Sequence, residues 1–125
     1  TRLLTLKPQT HDALVSRSSH LPHLVAATLA SSVLDPKRPK QQAALCANGF
    51  RDTTRVSSGS PEMWRDIVLA NRPEIRAALD GFVRDLQRVQ ALLRGENAAE
   101  VLKFFETAKA RRDQWCAQGA SPSPE

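Results

Sequence analysis

Residues 10–34 read THDALVSRSSHLPHLVAATLASSVL, and this stretch decides the fold. It predicts one long helix from Thr10 to Leu34. Thr10 is placed to cap its start, and Asp12 suits the positive N-terminal end of a helix. At about 100° per residue, Asp12, Ser16, Ser19 and His23 fall on one narrow stripe. Leu14, Val15, Leu21, Leu24, Val25 and Leu29 cover most of the remaining circumference. A helix apolar nearly all round should be buried, and its polar stripe must then be satisfied by partners or by a ligand. Pro22 inside the helix predicts a kink beside His20 and His23.

The flanks read outward from this helix. Arg2 to Lys7 alternates weakly, like the end of a strand, and Lys7-Pro8-Gln9-Thr10 breaks the pattern. Asp35-Pro36-Lys37-Arg38-Pro39 ends the long helix. A short helix from about Lys40 to Ala47 follows, closed by Asn48-Gly49 as a left-handed stop. Phe50 to Ser58 has no helical period and is expected to be an irregular loop. Ser60-Pro61-Glu62 starts a helix to about Leu69 or Ala70: a capping serine, a proline in the first turn, then an acid. Asn71-Arg72-Pro73-Glu74 starts the next. Its apolar face is Ile75, Leu79, Phe82, Val83, Leu86, Val89 and Leu93, and Gly95 ends it. Asn97-Ala98-Ala99-Glu100 resembles a capping box and opens a last helix through about Trp115. The Ser/Pro-rich end, residues 117–125, reads as a disordered tail. The expected fold is all-α, about five helices with a long central N-terminal helix and no independent sheet.

A chain of 125 residues is long enough to bury a core, and its 41% hydrophobic and 25% charged content is that of a globular domain. The five glycines and the lack of tyrosine favour helix over strand. The net charge of +5 is compatible with nucleic acid, an anionic surface or a small anionic substrate. The longest basic stretch, Lys37-Arg38-Pro39-Lys40, has no aromatic residues interleaved with it, which argues against nucleic acid. A stand-alone basic helical module for nucleic acid or an acidic protein is the alternative to keep. Cys46 and Cys116 lie far apart without C-x-x-C spacing, which argues against zinc and for free thiols in a reducing cytoplasm. No signal peptide and no bilayer-crossing run is evident. The start at Thr1, rather than Met, suggests a processed or excised piece.

All three histidines, His11, His20 and His23, lie in the long helix. His20 and His23 are neighbours three apart. A metal hydrolase site is conceivable, but His11 projects about 120° away from His23 and no acid lies near His20. The structural alternative is a pair of core histidines with satisfied nitrogens. Downstream, Arg51, Asp52 and Arg55 share a segment bounded by Gly49 and Gly59. A guanidinium fork binds a carboxylate or phosphate in bidentate fashion, and Asp52 could orient one of the arginines. The structural alternative is a salt bridge holding the segment. Trp64, at the start of a capped helix, reads by itself as core.

Taken together, His11-Asp12, Ser19-His20-Leu21-Pro22-His23, Gly49-Phe50-Arg51-Asp52-Thr53-Thr54-Arg55, Met63-Trp64-Arg65-Asp66-Ile67 and Asn71 resemble the C-terminal half of the prephenate/arogenate dehydrogenase family. The resemblance runs from about Thr1 to Trp115; beyond Ile75 it rests on helical character alone. It implies a helical dimerisation domain, residues 10–116, attached to an NAD(P)-binding Rossmann domain of which residues 1–9 would be the last remnant. It implies a homodimer in the cytoplasm and a small dicarboxylate substrate. The implied reaction is the oxidative decarboxylation of prephenate or arogenate in tyrosine biosynthesis. Hydride leaves the ring carbon bearing the hydroxyl, a base takes the hydroxyl proton, and carbon dioxide departs.

By position, His23 resembles the family histidine that contacts substrate, and Arg55 the arginine that holds a substrate carboxylate. Asp52 and His20 match residues that shape the site. Trp64 matches a tryptophan near the neighbouring subunit's site. The chain departs from the family in having no G-x-G-x-x-G and no βαβ pattern. The catalytic histidine, its serine partner and the NAD or NADP site are therefore expected outside these residues, and this piece alone is expected to be inactive and to bind neither cofactor nor metal.

Overall fold

The structure, a computed structural model, describes residues 5–119. Residues 1–4 and 120–125 lie outside it, and with them half of the expected strand end and most of the tail. Thr5–Lys7 carry no regular structure. Among the described residues every regular element is helical. In chain order these are α1 (Pro8–Val15), a π turn (Ser16–His20), α2 (Leu21–Val33), α3 (Gln41–Ala44), α4 (Asn48–Thr54), a 3₁₀ turn (Arg55–Ser58), α5 (Pro61–Ala70), α6 (Arg72–Arg94) and α7 (Ala98–Gln118). The all-α reading holds. The expected count of five rises because one expected loop is helical.

The long helix starts at Pro8, whose fixed φ suits the first helical position, and Thr10 is not its cap. It continues through Val33 but changes winding at Ser16–His20, where Leu21 N–H donates to the Ser16 carbonyl five residues back. Pro22 accounts for this. It lacks an N–H, and its ring would strike the carbonyl four residues earlier, so the preceding turn widens. The predicted kink thus takes the form of one wide turn. One surplus residue in a turn shifts the helix phase by about 100°, so the expected stripe is divided. Ser16 is buried and donates to the Ala13 carbonyl (2.7 Å), whereas Asp12 is exposed.

Two local expectations are corrected. The helix expected over Lys40–Ala47 is the single turn α3, and Asn48-Gly49 opens α4 rather than stopping a helix, with no glycine at positive φ among the described residues. Phe50–Ser58 is helical, not an irregular loop. Thr53, Thr54, Val56, Ser57 and Ser58 are poor helix formers, which hides the helix from a reading of propensity. Two of the hydroxyls bond back to the backbone instead of competing with it: Thr54 Oγ1 donates to the Phe50 carbonyl (2.7 Å) and Ser57 Oγ to the Thr54 carbonyl (2.6 Å). α5 starts as the sequence predicts, with Ser60 Oγ accepting from Met63 N–H (3.2 Å), and α7 starts under Asn97, whose side chain accepts from Ala99 and Glu100 N–H.

The described residues form two compact units, one over Leu6–Gly81 and a second from Phe82 onward. In the first, α2 packs against α4 and the 3₁₀ turn. Ala26 and Ile75 are the fully buried apolar side chains among the described residues, so the expectation of a buried long helix is not met within this chain. In the second unit no described residue is buried. The α6 stripe read from the sequence lies largely open, with Leu86 48% and Leu93 68% exposed, and α7 presents Leu102 and Phe105, the latter 62% exposed. No helix among the described residues is long and apolar enough to cross a membrane.

Candidate functional site

The first unit carries an open cleft of about 610 Å³ whose walls include Ser19, Pro22, His23, Arg55, Ser58 and Trp64. Each side chain is delivered by a local feature already described. The π turn and Pro22 present Ser19 and His23. Buried Thr54 anchors the end of α4, and the 3₁₀ turn that follows places Arg55 on the cleft wall. The Ser60 cap fixes the first turn of α5, which carries Trp64.

Trp64 organises one wall. Its indole stacks on the His23 imidazole with centroids 3.6 Å apart and planes 12° from parallel. His20 meets the same indole edge-on, at 6.2 Å and 82°. The backbone at Gly59 comes close to this group: a Cβ there would sit 3.3 Å from the indole nitrogen and 3.4 Å from the Val56 carbonyl oxygen. Glycine leaves that space free.

The electrostatics of the cleft come from Arg55 and His23. No carboxylate among the described residues pairs with Arg55 or Arg51, so the salt bridge considered as a structural role for them is not formed. The Arg55 guanidinium is thus available to an anion. Burial holds the His23 pKa below its ordinary value of 6.5, so the ring is neutral at pH 7. A neutral imidazole offers one donor and one acceptor nitrogen.

This has a consequence for stability. In the unfolded chain His23 takes up a proton more readily than in the folded one. Its contribution is therefore intact above the unfolded value and declines as pH falls through about 6.5 toward the lower folded midpoint. The expected result is that Trp64→Ala, which uncovers the ring, moves the His23 midpoint upward in an NMR titration. An unchanged midpoint would mean that the indole is not what shields His23.

The five residues singled out in the sequence therefore separate. His23, Arg55 and Trp64 line one cleft, and His20 braces Trp64 beside it. Asp52 is exposed on α4 and is not among the cleft-lining residues. Trp64, matched by resemblance to a tryptophan near a neighbouring subunit's site, stacks here on His23 of its own chain. Asn71, which the sequence offers only as part of a motif, reaches back to the long helix with its side chain. No three His, Cys, Asp or Glu side chains come together as metal ligands among the described residues, and His11 only touches its neighbour Asp12 at 3.4 Å.

All-helical elements with exposed apolar faces, and a cleft where an arginine without a carboxylate partner among the described residues lies beside a stacked imidazole–indole pair, are what the described residues present. Residues 7–107 match the family described as prephenate dehydrogenase, dimerization domain, and the chain belongs to that family. It is 38% identical over 113 residues to a prephenate dehydrogenase of Bacillus subtilis, covering 86% of this chain and 29% of the relative. A cyclohexadienyl dehydrogenase of Zymomonas mobilis is 32% identical, with 88% of this chain and 39% of the relative covered. Among solved structures, Synechocystis arogenate dehydrogenase superposes with a TM-score of 0.84 at 26% identity, over 92% of this chain and 42% of that one. Prephenate dehydrogenase from A. aeolicus, in complex with hydroxyphenyl propionate and NAD+, gives 0.79 at 31% identity, over 87% and 38%. The chain thus spans less than half the length of each of these relatives. The alternative of a stand-alone basic module gains no support from them.

Proposed function

We propose that this chain is the C-terminal helical domain of a cytoplasmic prephenate or arogenate dehydrogenase. In that role it forms the homodimer and supplies one wall of the substrate site. The observation that carries the reading is the convergence of an unpaired Arg55 and the His23–Trp64 stack on one cleft. A substrate with a carboxylate on a six-membered ring needs a cationic fork for the charge and flat or hydrogen-bonding groups for the ring. Arg55 offers the first, and His23 with Trp64 the second. The relative bound to hydroxyphenyl propionate and NAD+ holds a molecule of this kind, a ring carrying a carboxylate side arm.

In the reaction, hydride leaves the hydroxyl-bearing ring carbon, the hydroxyl proton goes to a base, and carbon dioxide departs as the ring becomes aromatic. Arg55 would orient a carboxylate, and neutral His23 would hold a polar group of the substrate without taking its proton. Asp52 and His20 would shape the site from outside the cleft wall. NAD or NADP would accept the hydride in the complete enzyme. The described residues form no strand and no glycine-rich turn of the kind that cradles a dinucleotide, so that site would lie in the dinucleotide-binding portion of the complete enzyme.

Two measurements test this reading. The purified chain should dimerise yet show no turnover of prephenate or arogenate with either nicotinamide cofactor. The protein with its dinucleotide-binding portion should turn over one of them. Turnover by the 125-residue chain alone, or none by the complete protein, would overturn it.

A further inference from the structure

We propose that Asn71 is a positioning residue that fixes the ring of His20, and through it the Trp64–His23 wall of the cleft. This rests on the reading of the cleft as a substrate wall. Asn71 lies at the junction of α5 and α6, half-buried, and its side chain makes two long-range contacts. Its amide nitrogen donates to the Asp12 carbonyl at 3.0 Å and lies 3.4 Å from His20 Nδ1. The amide therefore ties the α5–α6 junction to the long helix on both sides of the π turn, at α1 and at the turn's last residue.

The chemistry of the contact sets the state of His20. An amide NH₂ can only donate, so Nδ1 must present its lone pair and the proton must sit on Nε2. The ring plane fixed in this way meets Trp64 edge-on, and the opposite partner of that indole is His23, in face-to-face stacking. The series Asn71, His20, Trp64, His23 runs without a gap from the helix junction to the cleft. Asparagine suits the post because it has two N–H bonds at one atom. Aspartate has the same shape but only acceptors, which would face the Asp12 carbonyl and the Nδ1 lone pair. Leucine has the size and no polar atom.

Long-range ¹H–¹⁵N correlation spectra of the imidazoles at pH 8 test this directly. The three histidines are assigned by single replacement with glutamine. In the unaltered protein His20 should be a single tautomer, protonated at Nε2. In Asn71→Leu that tautomer should give way to a mixture, and in Asn71→Asp, whose carboxylate only accepts, to the form protonated at Nδ1, with the Trp64 and His23 ring signals shifting and His11 unmoved. In the complete enzyme Asn71→Leu should raise KM about fivefold with kcat held within about twofold, the size expected for one lost hydrogen bond. A purely structural role would lower thermal stability and leave the tautomer alone. His20 protonated at Nδ1 in the unaltered protein would overturn the proposal whether or not the variants fold. So would spectra unchanged in Asn71→Leu. Spectra that change as expected, with a complete enzyme that turns over neither prephenate nor arogenate, would uphold the Asn71 latch and overturn the substrate reading instead.

Discussion

Arg55→Ala in the complete enzyme is expected to lower kcat/KM by about two orders of magnitude. Two charge-assisted hydrogen bonds to a carboxylate contribute about 3 kcal/mol together, and each factor of ten in rate corresponds to about 1.4 kcal/mol. Arg55→Lys should recover only part of the loss, because an ammonium keeps the charge but not the fork. Circular dichroism and melting temperature should hardly move, since Arg55 is exposed and bridges to no carboxylate among the described residues. Steady-state kinetics on both variants decide the matter. An Arg55→Ala enzyme with unaltered kcat/KM would remove the anion-binding role from this residue.

The second large effect concerns association. Leu86 and Phe105 are 48% and 62% exposed, in a unit where no described residue is buried. Covering a side chain of this size contributes about 1.5–3 kcal/mol, and a carboxylate forced into the same place costs several more. The double variant Leu86→Glu, Phe105→Glu is therefore expected to weaken dimerisation by about a thousandfold or more, a change of about 4 kcal/mol. Light scattering should find it monomeric at concentrations where the parent chain is a dimer. Leu45→Glu is the control: Leu45 is 78% exposed and follows α3 in the other unit, so the dimer should survive it. A dimeric double variant would place the interface elsewhere.

The sequence was most legible where a single local mechanism decides the outcome. Ser60-Pro61-Glu62 specifies a helix start by capping and by proline's fixed φ, and α5 begins there. The α6 stripe follows from spacing alone. Phe50–Ser58 was misread because propensity counts threonine and serine as breakers, while back-bonding from Thr54 and Ser57 fits them into helical turns. The π turn was half legible. Pro22 announces a disturbance, but whether a helix bends or widens depends on what packs against it. The cleft was legible only through the resemblance. Composition offered no route from His23 to Trp64, because their stacking depends on how α5 returns across α2. Asp52 marks the limit of adjacency: it is next to Arg51 in sequence, yet it is exposed on α4 and does not line the cleft.

The wide turn at Ser16–His20 separates two design problems that a regular helix would join. In an unbroken α-helix, rotating one end to suit a neighbour rotates every side chain along the rod. Here the surplus residue sets α2 at its own angle about the axis. The proline and the turn before it set a constant offset between the two halves, so side chains that a regular helix would place in one line face different neighbours on α1 and on α2.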